Sequence, residues 1–250
     1  MFEVAPDAYD RLMGRYSKYL APDFADFADF AGPSGTVLDV GCGPGALTAE
    51  LVARVGAERV VAADPSEPFV VAARERFPGV SVHLAPAESL PFEDGAVDAA
   101  LAQLVVHFMS DPVGGVREMA RVTRADGVVA ACVWDMGQAP LTPFWRAARE
   151  LNPDVQGEGR RPGTREGELE EIFRAAGVRD VSSTALAVRV EHDTFDDWWE
   201  PFTLGVGPVG AHYAQLDDDA RESLRRRCNE LLGDGPFAIA SRAWAARGTN

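Results

Sequence analysis

Asp39, Gly41, Gly43 and Gly45 stand together in the stretch VLDVGCGPG, and Asp64 ends the next apolar run, VVAAD. An apolar, β-branched run entering three closely spaced glycines predicts a strand that turns sharply into a helix, because glycine takes the positive-φ conformations such a turn needs. The turn brings backbone N–H groups and a helix N-terminus against a ligand, which suits a phosphate. Two residues alter that chemistry. Asp39 puts a carboxylate at the strand end, where it repels phosphate and attracts an ammonium group. Pro44 removes one N–H donor near the helix start. Gly41, Gly43 and Ala46, with Asp64 near the expected acidic spacing, also satisfy the loose dinucleotide pattern, so the turn alone leaves both chemistries open.

Other side chains invite chemistry less directly. Asp64 could accept two hydroxyl hydrogens at once, which a neutral side chain does less well, or it could cap the helix after Ser66. His107 follows the apolar run VDAALAQLVV, where a neutral imidazole can take a proton from a hydroxyl; the plainer role is a histidine bonded within a short helix. His212 and Tyr213 are second candidates, while His83 and His192 read as structural. Phe195, Trp198, Trp199 and Phe202 share one helical face, the pattern of a buried stripe. Cys42, Cys132 and Cys228 are odd in number and far apart, with neither zinc-ligand spacing nor a disulfide framework.

The elements that must position these residues follow from periodicity. Leu20, Phe24, Phe27 and Ala31 recur at helical spacing before a stop at Gly32-Pro33. Strands are predicted over Thr36–Val40, Arg59–Ala63, Val80–Leu84, Val97–Ala102 and Gly127–Val133, with helices over Ala46–Val55, Glu67–Phe77 and Pro112–Arg124 between them. Leu169, Ile172, Phe173 and Ala176 mark a helix ended by Gly177. Val178–Val190 and Phe237–Ala246 read as strands, and Asp217–Leu232 as a helix. Thr194 caps a further helix start. Gln156 to Gly167 is glycine-rich and charged, and is expected to be a mobile loop. This alternation predicts one α/β domain: a Rossmann-like, seven-stranded, mostly parallel sheet with helices on both faces. A ligand crevice is then expected beyond the C-terminal strand ends. The core is expected at about 20–135, 168–190 and 237–247, with an inserted helical cap at about 136–166 and 192–232.

Composition narrows the function class. The net charge is −15, with 39 acidic against 24 basic residues, which argues against a broad nucleic-acid-binding face. Arg225-Arg226-Arg227 follows Asp217-Asp218-Asp219 on one predicted helix, an order that the helix dipole favours. Apolar runs fall short of a bilayer span, and MFEVAPDAYDR lacks the basic start and apolar core of a secretory signal. A cytoplasmic enzyme without membrane or nucleic-acid partners is expected; the oligomeric state is left open.

The stretch VLDVGCGPG resembles the first motif of class I S-adenosylmethionine-dependent methyltransferases, with complete agreement to [VIL]-[VIL]-[DE]-[VIL]-G-x-G-x-G. VVAADPSE, HLAPAESLPFEDGAVDAALA and HFMSDPVGGVREMARVTRADG follow in family order. LPFEDGAVD is similar to LPFxDxxFD, with Val97 in the aromatic position. YDRLMGRYS resembles a segment of the ubiquinone and menaquinone (type 11) branch. The resemblance is specific over roughly residues 35 to 135. It implies S-adenosyl-L-methionine as cofactor and a small-molecule methyl acceptor. Cofactor positions implied are Asp39, Gly41, Cys42 and Gly43 at the first turn, and Asp64, on the ribose, with Pro65 after it. Ala87 and Glu88 are implied beside the adenine, Gln103 and Leu104 under the methyl donor, and Arg15 and Tyr16 over the methionine end. His107 is the candidate catalytic residue. The reaction implied is an in-line displacement at a sulfonium methyl, in which alignment and exclusion of water can do much of the catalysis. Two alternatives remain: an NAD-dependent oxidoreductase of Rossmann type, against which Asp39, Pro44 and LPFEDGAVD count, and a related protein that binds the donor without ordinary methyl transfer.

Overall fold

The computed structural model describes residues 5–30 and 35–250. The chain opens with a short helix α1 (Pro6–Tyr9), a wide π-turn over Asp10–Gly14 and helix α2 (Arg15–Ala28). Helix α2 closes at Asp29 in the left-handed conformation; the expected stop at Ala31 and Gly32-Pro33 lies outside the described residues. Then β1 (Val37–Val40), α3 (Ala46–Val55), β2 (Val60–Asp64), α4 (Glu67–Arg76), β3 (Ser81–Leu84), β4 (Val97–Gln103), α5 (Pro112–Val122) and β5 (Thr123–Trp134) alternate as the periodicity predicts. The fifth strand starts earlier than expected. Thr123 already pairs with Val97, and the register then shifts before Val128 pairs with Ala99, with Asp126 at φ 59.

The seven strands order as β3-β2-β1-β4-β5-β7-β6. Strands β1 to β5 pair in parallel, whereas β7 (Phe237–Thr249) lies antiparallel between β5 and β6 (Arg179–His192). The order reverses between β1 and β4, the switch point where the C-terminal strand ends leave a crevice. Period-two alternation divides the core in two. Val37, Ala62, Leu101, Ala130 and Cys132 face a cluster with Leu20 and Phe24 of α2 and Leu47 and Leu51 of α3. Leu38, Val40, Ala63, Ala100, Val129 and Ala131 face the other, with Val116 and Met119 of α5 and Phe173 of α7 (Glu168–Ala176). A one-residue slip would exchange those faces, so burial on both sides fixes the register.

Helices α6 (Thr142–Leu151), α8 (Phe195–Trp199), α9 (Gly207–Gln215) and α10 (Asp218–Leu232) lie in the two segments expected to form a cap. Helices α6 and α9 fall within the expected helical cap, although no individual helix was placed at either position. Thr194 Oγ1 accepts the Asp197 N–H at 3.1 Å, the expected cap, and Gly177 closes α7 at φ +91. Phe195, Trp198, Trp199 and Phe202 are all buried and pack with Phe144 of α6, its ring 4.8 Å from Phe202. They join the first core cluster rather than forming an open cage. The segment expected to be mobile is instead tied down: Met136 N donates to Thr164 O, Thr164 Oγ1 to Arg161 O at 2.8 Å, and Arg160 pairs with Glu168. Among the described residues no helix is long and apolar enough to cross a membrane, and no cluster of His, Cys, Asp or Glu suits a metal ion.

Candidate methyl-donor site

The glycine turn closes at the end of β1 against the end of β2. Gly41 N and Cys42 N both donate to Ala63 O, at 2.7 and 3.1 Å, and Gly43 N donates to Asp64 Oδ2 at 2.8 Å. The three glycines have different reasons to be glycine. At Gly41 a Cβ would lie 2.4 Å from Val105 Cγ2, and at Gly45 2.2 Å from Phe77 Cε2, so these two are close-packing positions. At Gly43, φ +53, a Cβ would meet nothing within 4 Å among the described residues; this is the open lip of the turn.

Around that lip lie buried polar atoms with incomplete hydrogen bonding. Asp39 is 1% exposed; its Oδ2 accepts from Thr48 Oγ1 at 2.6 Å, while Oδ1 has no partner among the described residues. Burial pushes this carboxyl up to about 7, with nearby Asp64 adding to the rise and Thr48 opposing it. Asp64 closes β2 with Oδ1 accepting from Ser66 N at 2.8 Å; burial raises its pKa against the pull of the Ser66 and Gly43 N–H groups. Gln103, at the end of β4, donates to Ser17 O at 3.1 Å, and its buried Oε1 has no partner among the described residues. Leu104 follows at φ 64, a conformation that costs a side-chain-bearing residue about 1–3 kcal/mol and concentrates at functional sites. Unpaired carboxylate and amide oxygens beside an open glycine lip suit a ligand bearing an ammonium and hydroxyl groups. The amino-acid and ribose portions of S-adenosylmethionine fit that set.

Not every sequence-implied contact is brought here. Arg15 Nη1 donates to Asp197 O at 2.9 Å and meets His192 Nδ1 at 3.2 Å; Tyr16, 2% exposed, joins His192 Nε2 at 3.1 Å. Their polar ends thus point toward β6 and α8, where the buried His192 ring and the Asp197 carbonyl and carboxylate meet them. Glu88 Oε1 accepts from Ser110 N, Ser110 Oγ and Asp111 N. Burial would raise its pKa, yet those bonds hold it below the usual range. Glu88 therefore pins the turn before α5. Ala87 is buried next to it, and Pro65 is exposed beside Asp64. Cys42 is buried, its thiol pushed up by burial and by the Asp39 and Asp64 charges, so it packs rather than reacts. His83 bonds Ser81 Oγ, in keeping with a structural position, while His212, a second catalytic candidate, packs against Trp145 and Phe144.

His107 does reach the crevice. It lines an apolar cavity with Tyr9, Leu12, Met13, Leu104 and Trp134. Burial, then the Arg161 charge, lowers its pKa to about 3, so the ring is neutral near pH 7, and its Nδ1 is buried without a partner among the described residues. Sequence reasoning missed the N-terminal wall. Tyr9, Leu12 and Met13 stand at i, i+3 and i+4, a helical spacing that could have marked them. Trp134 Nε1 holds this wall through the Met13 sulfur at 3.3 Å, and Arg76 joins Asp10, Asp7 and Pro44 O, tying the glycine turn to the same segment.

Residues 38–131 match the family described as "Methyltransferase domain". A probable S-adenosylmethionine-dependent methyltransferase of Mycobacterium tuberculosis is 37% identical over 156 residues, 60% of this chain and 51% of that protein. A malonyl-[acyl-carrier protein] O-methyltransferase of Salmonella typhimurium is 36% identical over 113 residues, 45% and 44% of the two chains. The aligned segments thus span about half of those relatives' length. The fold is shared with the YcgJ protein of Bacillus subtilis, at 20% identity and TM-score 0.58, over 92% of this chain and 97% of that one. Residues 38–131 thus resemble a methyltransferase domain, and the chain is similar to S-adenosylmethionine-dependent methyltransferases over the aligned segments.

Proposed function

We propose that the chain transfers the methyl group of S-adenosylmethionine to a small-molecule acceptor. The observation that carries this reading is the set of polar atoms around the Gly43 lip: Asp39 Oδ1, the Asp64 carboxylate and Gln103 Oε1, at the ends of β1, β2 and β4. The donor, when bound, supplies an electrophilic sulfonium methyl. Asp39 would hold its ammonium group. Asp64, already oriented by two backbone N–H groups, would accept from its ribose hydroxyls. Leu104, Trp134, Leu12 and Met13 exclude water from the cavity beside that set, so a nucleophile held there loses its competing solvent. Neutral His107 can position an acceptor hydroxyl or amine through a hydrogen bond.

Calorimetric titration with S-adenosylhomocysteine and, separately, NADH tests the donor assignment. Micromolar binding of the former and a tenfold or greater loss in Asp64→Ala are expected. Binding of NADH alone would overturn it.

A further inference from the structure

Glu158 stands apart from the donor-facing atoms yet lines the same apolar cavity as His107. Its segment is seated on α6. At Gly157, φ +66, a Cβ would lie 3.0 Å from Arg149 Nη1 and 3.5 Å from Trp145, and Trp145 Nε1 donates to Glu158 Oε1 at 3.3 Å. The wall also includes Leu12, Met13, Leu104, Trp134, Val206 and Val209. A carboxylate facing such a wall is costly unless a hydrogen-bond donor or cation meets it. Arg161 influences both Glu158 and His107, but its guanidinium lies over the Phe108 ring, 4.8 Å from the centroid. Among the described residues one weak indole N–H bond meets this carboxylate, which leaves most of its accepting capacity for a ligand.

We propose that Glu158 is the proton acceptor on the acceptor side, and that the methyl acceptor is a small, mainly apolar molecule whose nucleophile is an amine or hydroxyl rather than a carbon. The inference rests on the methyl-transfer reading and deepens it. In the step, the nucleophile's N–H or O–H bond breaks and its proton passes to a Glu158 oxygen. The freed electron pair forms the bond to the methyl carbon, while the methyl–sulfur bond breaks with its pair kept on sulfur. Burial holds the Glu158 carboxyl above the ordinary carboxylate range, against the opposing Trp145 N–H and Arg161 charge, which makes it a better base near neutrality. A hydrocarbon of the same shape leaves the carboxylate unpaired and is rejected for that reason.

The test uses three isosteric probes, benzylamine, benzyl alcohol and ethylbenzene, titrated by ligand-observed NMR into the 250-residue chain saturated with S-adenosylhomocysteine. The wild type is expected to bind the amine or the alcohol at least tenfold tighter than ethylbenzene; whichever leads identifies the nucleophile class. Glu158→Gln keeps the Trp145 bond and the side-chain shape, so it should lose that preference tenfold for the amine, and less for the alcohol, with S-adenosylhomocysteine affinity unchanged. Glu158→Ala replaces it if the glutamine variant does not fold. Equal binding of all three probes, binding of none, or a preference untouched in both variants overturns the proposal. Absence of S-adenosylhomocysteine binding in the wild type, measured first without probe, overturns the donor reading and this inference with it.

Discussion

Replacing Asp39 by asparagine should make stability relative to wild type rise with pH while weakening donor binding. In the folded chain the Asp39 carboxyl is buried and titrates at about 7, against an ordinary 3.8, so the native state holds its proton more tightly than the unfolded chain. A raised pKa of this kind contributes stability that is fully present below about 3.8 and is lost as pH rises through about 7. Between pH 5 and pH 8 that loss integrates to roughly 2.5 kcal/mol at 1.36 kcal/mol per unit. The asparagine side chain does not titrate and can still accept from Thr48 Oγ1, while its amide N–H₂ at the other position forfeits about 1–3 kcal/mol as an unpaired buried donor. That penalty is the same at both pH values. Urea unfolding without ligand should therefore show the stability of Asp39→Asn relative to wild type rising by about 2.5 kcal/mol from pH 5 to pH 8. Titrations shared by both proteins cancel in this difference. S-adenosylhomocysteine should bind the variant at least tenfold more weakly, and wild-type affinity should strengthen as pH rises through about 7, because the ligand's ammonium favours ionised Asp39. A relative stability independent of pH would refute the claim that this carboxylate is held against its burial cost.

The glycines separate packing from binding: Gly45→Ala should destabilise by about 2 kcal/mol or more through its clash with Phe77. Gly43→Ala should lose about 1–2 kcal/mol to left-handed strain and yet weaken S-adenosylhomocysteine tenfold, as thermal unfolding and calorimetry would show. Tyr16→Phe should cost about 1–2 kcal/mol in urea, since it strips His192 Nε2 of its partner, with donor affinity within twofold; a large affinity loss would return Tyr16 to the binding site. Because His107 titrates near 3, no histidine step from His107 should appear in the pH dependence of methyl transfer between pH 5 and 8; an inflection near 6.5 abolished in His107→Asn would refute its burial as a neutral ring.

Much of the candidate donor side was legible along the chain because its parts are local. Asp39, the three glycines and Pro44 lie within one strand-turn-helix unit, and the period-two and helical patterns flanking them mark the elements that hold them. The strand ends Asp64 and Gln103 were legible for the same reason: each terminates an apolar run, and a parallel sheet brings such termini to one edge. The intramolecular partners of Arg15, Tyr16 and Glu88 were not legible in this way. Each has hydrogen-bonding partners remote in sequence, in His192, Asp197 and Ser110, which no spacing rule reveals.

By itself, then, the order of residues determined the strand-helix alternation, the glycine turn and the ring of acids and amides at the strand ends. Only the tertiary structure decided which way the N-terminal segment faces, that Trp134 and Arg76 fasten it over the crevice, and that Glu158 enters an apolar cavity beside His107. The reason is physical. A turn's conformation is dictated by its own backbone sterics, whereas a wall assembled from α1, β5 and the segment around residue 158 depends on burial shared among positions more than a hundred residues apart.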